Sequence, residues 1–197
     1  SESMQEINLK GVPNTGIRSL SISEDEKVYA YISSSDTSPG DIFLSFNNKQ
    51  KSRKLASGLS QDINEKDLVT SQVIRYKSFD GLEIPSILYK PVQASKRNKV
   101  SALVYVHGGP GGQTRKGYNS NIQFLVNNGY AVIGVNNRGS SGYGKTFYHM
   151  DDKRHGEEDL LDVVWAKKYL QGLDWIDSES IGVMGGSYGG FMTLAAM

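Results

Sequence analysis

With 197 residues, the chain has room for one full domain, or for one domain and part of a second. Apolar residues make up 38% and charged residues 22%, enough to bury a core and to exclude wholesale disorder. The 22 Lys and Arg against 21 Asp and Glu leave a net charge of +1, which excludes nucleic acid as a first partner; the one locally basic run, Ser95-Lys96-Arg97-Asn98-Lys99, reads as a solvated loop. There is no cysteine, hence no disulfide, thiolate metal site or Cys nucleophile, and the composition fits a reducing, cytoplasmic setting. No apolar run approaches the ~18 residues that span a bilayer, so no membrane partner is expected. The acidic start Ser1-Glu2-Ser3-Met4-Gln5-Glu6 is no signal peptide. The end, Thr193-Leu194-Ala195-Ala196-Met197, falls inside a helix-like apolar run and reads as a piece of a longer protein.

In chain order, residues 17–57 carry four short alternating segments punctuated by turn formers. They cover residues 17–22, 27–32, 41–46 and 51–56. Four strands in about forty residues match one blade of a β-propeller, or an antiparallel sheet of another kind. Residues 73–76 and 84–89 then predict a hairpin around Asp80-Gly81, and residues 101–106 a strand covered on both faces. A helix is expected over 119–128, a strand over 130–135, and a helix over 156–171. That last helix would present Leu160, Leu161, Val164, Trp165 and Lys168 on one stripe. Residues 180–184 read as a short buried strand. Strands alternating with helices predict a parallel, doubly wound α/β sheet.

The chemistry is concentrated in Gly185-Gly186-Ser187-Tyr188-Gly189-Gly190, set between a strand and an apolar helix. In that context the pattern is a nucleophile elbow. A tight strand-to-helix turn strains Ser187, and only glycines at 185 and 189 avoid collision with the adjoining elements. The bend lifts the Ser187 hydroxyl to the positive end of the helix and aims the Tyr188 backbone N–H where negative charge would develop. His107-Gly108-Gly109-Pro110-Gly111-Gly112 follows the preceding strand, where such hydrolases carry a second oxyanion donor, here the Gly109 N–H. His107 lies upstream of the serine, the wrong order for a triad base, and is assigned to shaping this loop. His149 and His155 are six residues apart with no Glu-x-x-His pattern, so no metal is expected; nor does any motif call for a cofactor.

Together with Asn136-Asn137-Arg138-Gly139-Ser140-Ser141-Gly142-Tyr143-Gly144, these runs resemble the prolyl oligopeptidase family of serine peptidases, most closely its acylaminoacyl-peptidase and dipeptidyl-peptidase-like branch. The resemblance covers residues from about 71 to the end and includes Phe79-Asp80-Gly81-Leu82-Glu83-Ile84-Pro85. It implies a truncated α/β-hydrolase fold over 71–197, preceded over 1–70 by the last part of an N-terminal β-propeller. It further implies Ser187 as nucleophile, Gly109 and Tyr188 as oxyanion donors, and His107, Gly108 and Arg138 as residues of substrate-site loops. Arg138 would organise the site rather than react. The family's acid and histidine follow the nucleophile, so this chain holds one triad member of three. The expected partner is a peptide substrate, with homo-oligomerisation left open. A carboxylesterase of the same fold and a non-catalytic α/β-hydrolase-like binding protein are the alternatives.

Overall fold

The computed structural model describes residues 16–46 and 51–197. The acidic N-terminal hexapeptide lies outside the described residues. The chain divides into two compact units, the first ending at Asp67 and the second beginning at Leu68.

In the first unit, β1 (Ile17–Ile22), β2 (Val28–Ser33), β3 (Asp41–Phe46) and β4 (Arg53–Ala56) form an antiparallel meander in chain order. The period-2 pattern is realised in β2, where Tyr29 and Tyr31 are buried between less covered neighbours. Tyr31 stacks on its cross-strand partner Phe43 with ring centroids 5.4 Å apart. Asp41 accepts hydrogen bonds from the Ser57 hydroxyl and the Gly58 N–H, tying the end of β4 to the start of β3. All six residues of β1 are exposed within this unit.

The second unit is built on a five-stranded sheet. Its strands are β5 (Ser71–Lys77), β6 (Glu83–Tyr89), β7 (Val100–Val106), β8 (Ala131–Val135) and β9 (Ile176–Gly185), in the order β5-β6-β8-β7-β9. The sheet is mixed rather than parallel: β7 runs parallel to β8 and β9, whereas the β5–β6 hairpin joins β8 antiparallel. The reason is local. A turn at Asp80-Gly81 can link only antiparallel strands, and the Leu82 N–H closes it by donating to the Asp80 carboxylate. Helices cover both faces, as a doubly wound sheet requires. Helix α1 (Ser120–Asn127), capped by the Asn119 side chain on the Ile122 N–H, packs Ile122 and Val126 against Ile87, Tyr89 and Val132. Helices α3 (Glu158–Gln171) and α4 (Tyr188–Ala195) bury Val163, Ala166, Leu170 and Met192 against Ala102, Val104, Ile133 and Val135 on the other face. A short helix, α2 (Lys145–Tyr148), precedes α3 and has no counterpart in the sequence reading.

Two local expectations are overturned. The fully buried residues of α3 are Asp159, Asp162, Val163, Ala166 and Leu170; of the expected stripe, Leu160 and Trp165 pack against the core while partly exposed, and Leu161 and Lys168 do not. Leu161 is exposed, and Lys168 lies over the Trp165 ring on the outer side. Two aspartates turn inward because donors from other elements satisfy them there. Strand β9 is ten residues long and, apart from Ile176, not buried, because it is the edge of the sheet among the described residues. No helix of the described residues is long and apolar enough to cross a membrane.

Candidate active site

Ser187 stands at the crest of the sheet, between β9 and α4, with φ 55° and ψ −122°. A non-glycine residue there costs on the order of 1–3 kcal/mol and persists only where its surroundings impose the bend. The glycines impose it. A Cβ at Gly185 would lie 2.6 Å from the carbonyl oxygens of Gly189 and Val106, and one at Gly189 would lie 2.1 Å from Val106 O. Backbone therefore passes where side chains would be, and the turn closes with Gly189 N–H on Gly186 O and Gly190 N–H on Ser187 O, both 2.9 Å. Ser187 itself is solvent-exposed.

The loop after β7 adjoins this crest. A Cβ on Gly108 would come within 3.4 Å of the Ser187 Cβ and 3.3 Å of Gly186 O, which places residue 108 directly beside the serine. Gly109, exposed and at φ 138°, precedes Pro110 through a cis peptide bond. A side chain at Gly109 would strike the loop's own backbone, 2.4 Å from the Gly112 N and 2.6 Å from the Gly111 N. Glycine is thus required there by the shape of the loop itself, and not only by the approach of a ligand. His107 is buried. Its Nδ1 lies 2.8 Å from the Gly108 carbonyl and its Nε2 2.8 Å from the Ser140 Oγ, whose own proton goes to the Asn137 carbonyl at 2.7 Å. Burial pushes the His107 pKa below its ordinary value, against the opposing pull of the Gly108 carbonyl.

The loop after β8 braces that loop through residues to which the sequence alone assigns no role. The fully buried Asn136 accepts from the Thr114 N–H (2.7 Å) and donates to Thr114 O (2.9 Å), while the Ser141 N–H donates to Gly112 O. The clue in the sequence is two consecutive asparagines ending an apolar strand, where burial demands partners. Arg138 is engaged elsewhere. Its Nε and Nη2 bind both oxygens of Asp162 (3.0 and 2.9 Å), its backbone N–H adds a third contact, and Nη2 also reaches Asp80. The guanidinium lies 5.0 Å from the Phe79 ring centroid. Burial works against its charge, but the bonds from Asp162 and Asp80 prevail and raise its pKa. Burial likewise lifts the Asp162 carboxyl above its ordinary range, against the hydrogen bonds from Arg138 and Ser78. Arg138 thus joins the β5–β6 turn to α3.

The other two histidines also have partners: His149 Nδ1 bonds Asp152, and His155 Nε2 lies 3.4 Å from the buried Asp151. All three histidines of the chain are accordingly bonded to residues other than Ser187. A cavity of about 520 Å³ borders residues 109–112, with Gly139, Tyr148, Asp151 and His155 on its other sides. The Tyr188 phenol donates to the buried Asp159, and burial together with that bond raises its pKa. The site therefore presents an exposed hydroxyl on a strained turn, at the N-terminus of a helix, beside a glycine loop rigidified from behind. That geometry suits attack on an acyl carbon with backbone N–H groups facing the developing charge.

The family model described as Prolyl oligopeptidase family matches residues 116–197. The chain is 31% identical over 178 residues to the uncharacterized peptidase YuxL of Bacillus subtilis (strain 168), covering 90% of this chain and 27% of that protein. It is 38% identical over 144 residues to dipeptidyl aminopeptidase BIII of Pseudoxanthomonas mexicana, covering 67% and 20%. Among solved structures, Pyrococcus horikoshii acylaminoacyl peptidase superposes with a TM-score of 0.73 at 30% identity, over 91% of this chain and 28% of that one. A puromycin hydrolase shares the fold, with a TM-score of 0.78 at 20% identity over 95% and 29%. The chain spans about a quarter of the length of these proteins. By these matches, residues 116–197 belong to the prolyl oligopeptidase family.

Proposed function

We propose that this chain carries the nucleophile and oxyanion side of a serine peptidase that cleaves short peptides, as an exo- or oligopeptidase, through an acyl-enzyme on Ser187. The observation that carries the reading is the backbone of Ser187, held at φ 55° by glycines packed on Val106. In the reaction, Ser187 Oγ attacks the scissile carbonyl carbon while a base takes its proton, and the Tyr188 and Gly109 N–H groups hold the resulting oxyanion. The amine leaves with that proton, and water then hydrolyses the ester. Hydrolases of this architecture place the acid and the histidine after the nucleophile in the chain, so in the intact protein both would follow Ser187.

Residues 71–197 are read as the N-terminal portion of the hydrolase domain and residues 1–70 as the last part of a β-propeller. The four-stranded meander of the first unit supports the latter. The similarity to a dipeptidyl aminopeptidase and to an acylaminoacyl peptidase supports a peptide substrate engaged near its N-terminus. A fluorophosphonate probe tests the assignment. It is expected to label the intact protein and to leave Ser187→Ala unlabelled, with turnover of a peptide p-nitroanilide lowered by several orders of magnitude. Labelling or turnover that survives the substitution would refute it.

A further inference from the structure

The restraints already described fix the elbow on either side of residue 188. The Gly189, Gly190 and Phe191 N–H groups bond back to Gly186 and Ser187, and the glycines pack on Val106. The Tyr188 N–H, in the first turn of α4, has no acceptor within its own helix. Its direction depends on where the Tyr188 Cα is held, and that is decided by the side chain. The ring sits between His155 and Phe191, each at 5.5 Å between centroids, and its hydroxyl donates to Asp159 Oδ2, 29 residues back in the chain. Asp159 is 1% exposed. Its Oδ1 accepts from the Gly156 N–H at 2.8 Å and the Leu160 N–H at 3.0 Å, fixing the carboxylate to the first turn of α3.

A helix-capping role accounts for only half of this carboxylate. One oxygen serves the two backbone donors, and the N-cap position itself is Glu157, whose side chain makes no capping bond. The second oxygen is spent on the residue that follows the serine. Burying a carboxylate is costly unless donors satisfy it, and here one of the three donors is the Tyr188 phenol. We propose that Asp159 is a positioning residue for the oxyanion site. By gripping the Tyr188 phenol it anchors the residue whose N–H faces the developing charge, so that α3 and not α4 alone sets the direction of that N–H. This rests on the reading of Ser187 as nucleophile and Tyr188 as donor.

An oxyanion donor works only within about 0.3 Å of its proper distance, and a misplacement of about 1 Å costs on the order of a hundredfold in rate. In the intact protein, with p-nitrophenyl butyrate as probe substrate, Tyr188→Phe and Asp159→Asn are each expected to lower kcat by about ten- to a hundredfold. KM should stay within about threefold, because ground-state binding does not use this N–H. The double variant should be no slower than the slower single variant, as two ends of one contact require. A bond that merely holds the fold would lower the melting temperature and leave the kcat of the folded protein intact; that result, or losses that multiply in the double variant, overturns the proposal. Should Asp159→Asn fail to fold, Tyr188→Phe decides alone, since it keeps the ring and removes only the hydroxyl. Ser187→Ala in the same assay separates the two levels. Retained turnover refutes the nucleophile and this proposal with it, whereas its loss leaves the Asp159 result to be read by itself.

Discussion

Helix α3 turns two aspartates into the protein one turn apart, and they are satisfied in opposite ways. Asp162, fully buried, is held by a guanidinium: both of its oxygens bind Arg138, Ser78 adds a hydroxyl at 2.6 Å, and the Tyr76 hydroxyl donates to its backbone carbonyl. Asp159 is held by neutral donors, two backbone N–H groups and the Tyr188 phenol. The first arrangement gathers the β5–β6 hairpin, the loop after β8 and α3 around one ion pair. Its scale is that of the whole unit. The second fixes a single residue of a strained turn. Charge pairing across elements serves cohesion, while dipoles gathered on one carboxylate serve the placement of an atom, and one helix supplies both.

The largest effect expected from breaking this contrast is on stability at Asp162. Arg138→Met keeps the length and apolar stem of the side chain but leaves a buried carboxylate with only Ser78 and a backbone N–H. Removing one member of a buried pair costs about 3–5 kcal/mol. Denaturant unfolding of the variant should show that loss, and a cost below about 1 kcal/mol would mean that the pair is dispensable. Tyr188→Phe sharpens the comparison from the other side. It removes one of three neutral donors, for about 1–2 kcal/mol, so its stability should fall less than that of Arg138→Met even as its kcat falls by the margin argued above.

The same two aspartates mark the boundary of what the sequence makes legible. The strands of the first unit, the hairpin and the strand–Ser187–helix turn all follow from period, turn residues and glycines within a few positions of one another. Asp159 and Asp162 look like the wet side of an amphipathic helix, because the residues that make them tolerable inside lie elsewhere: Tyr188 is 29 positions away, Arg138 24 and Ser78 84. Leu161 and Lys168 were accordingly placed on the buried stripe and lie outside it. Asn136 and Ser140, named only within the family-like run, carry no role in the sequence for the same reason, since their partners lie in a loop more than twenty residues upstream. Strand direction was partly hidden too. Alternation reveals a strand but not its neighbours, and only the register places β6 antiparallel beside β8.

The smallest expected effect belongs to His107, which, like Asp159, is buried with neutral partners. Burial keeps its folded pKa below the ordinary 6.5, so between that value and the lower folded one the unfolded chain binds a proton that the folded protein refuses. Stability from this group is therefore fully present above about pH 6.5 and is lost as pH falls toward the folded pKa, by at most about 1.4 kcal/mol per pH unit. Below the folded pKa the loss levels off, because both states are then protonated. His107→Gln keeps a planar polar side chain of similar reach beside Gly108 and Ser140, yet it does not titrate. Melting temperatures of the two proteins, compared at pH 7.5 and pH 5.5, should diverge at the lower value, with the histidine protein losing more. Every other titrating group is common to both and cancels in the difference. Parallel pH profiles would show that the folded loop takes up a proton on the His107 ring at no cost, against the burial that lowers its pKa.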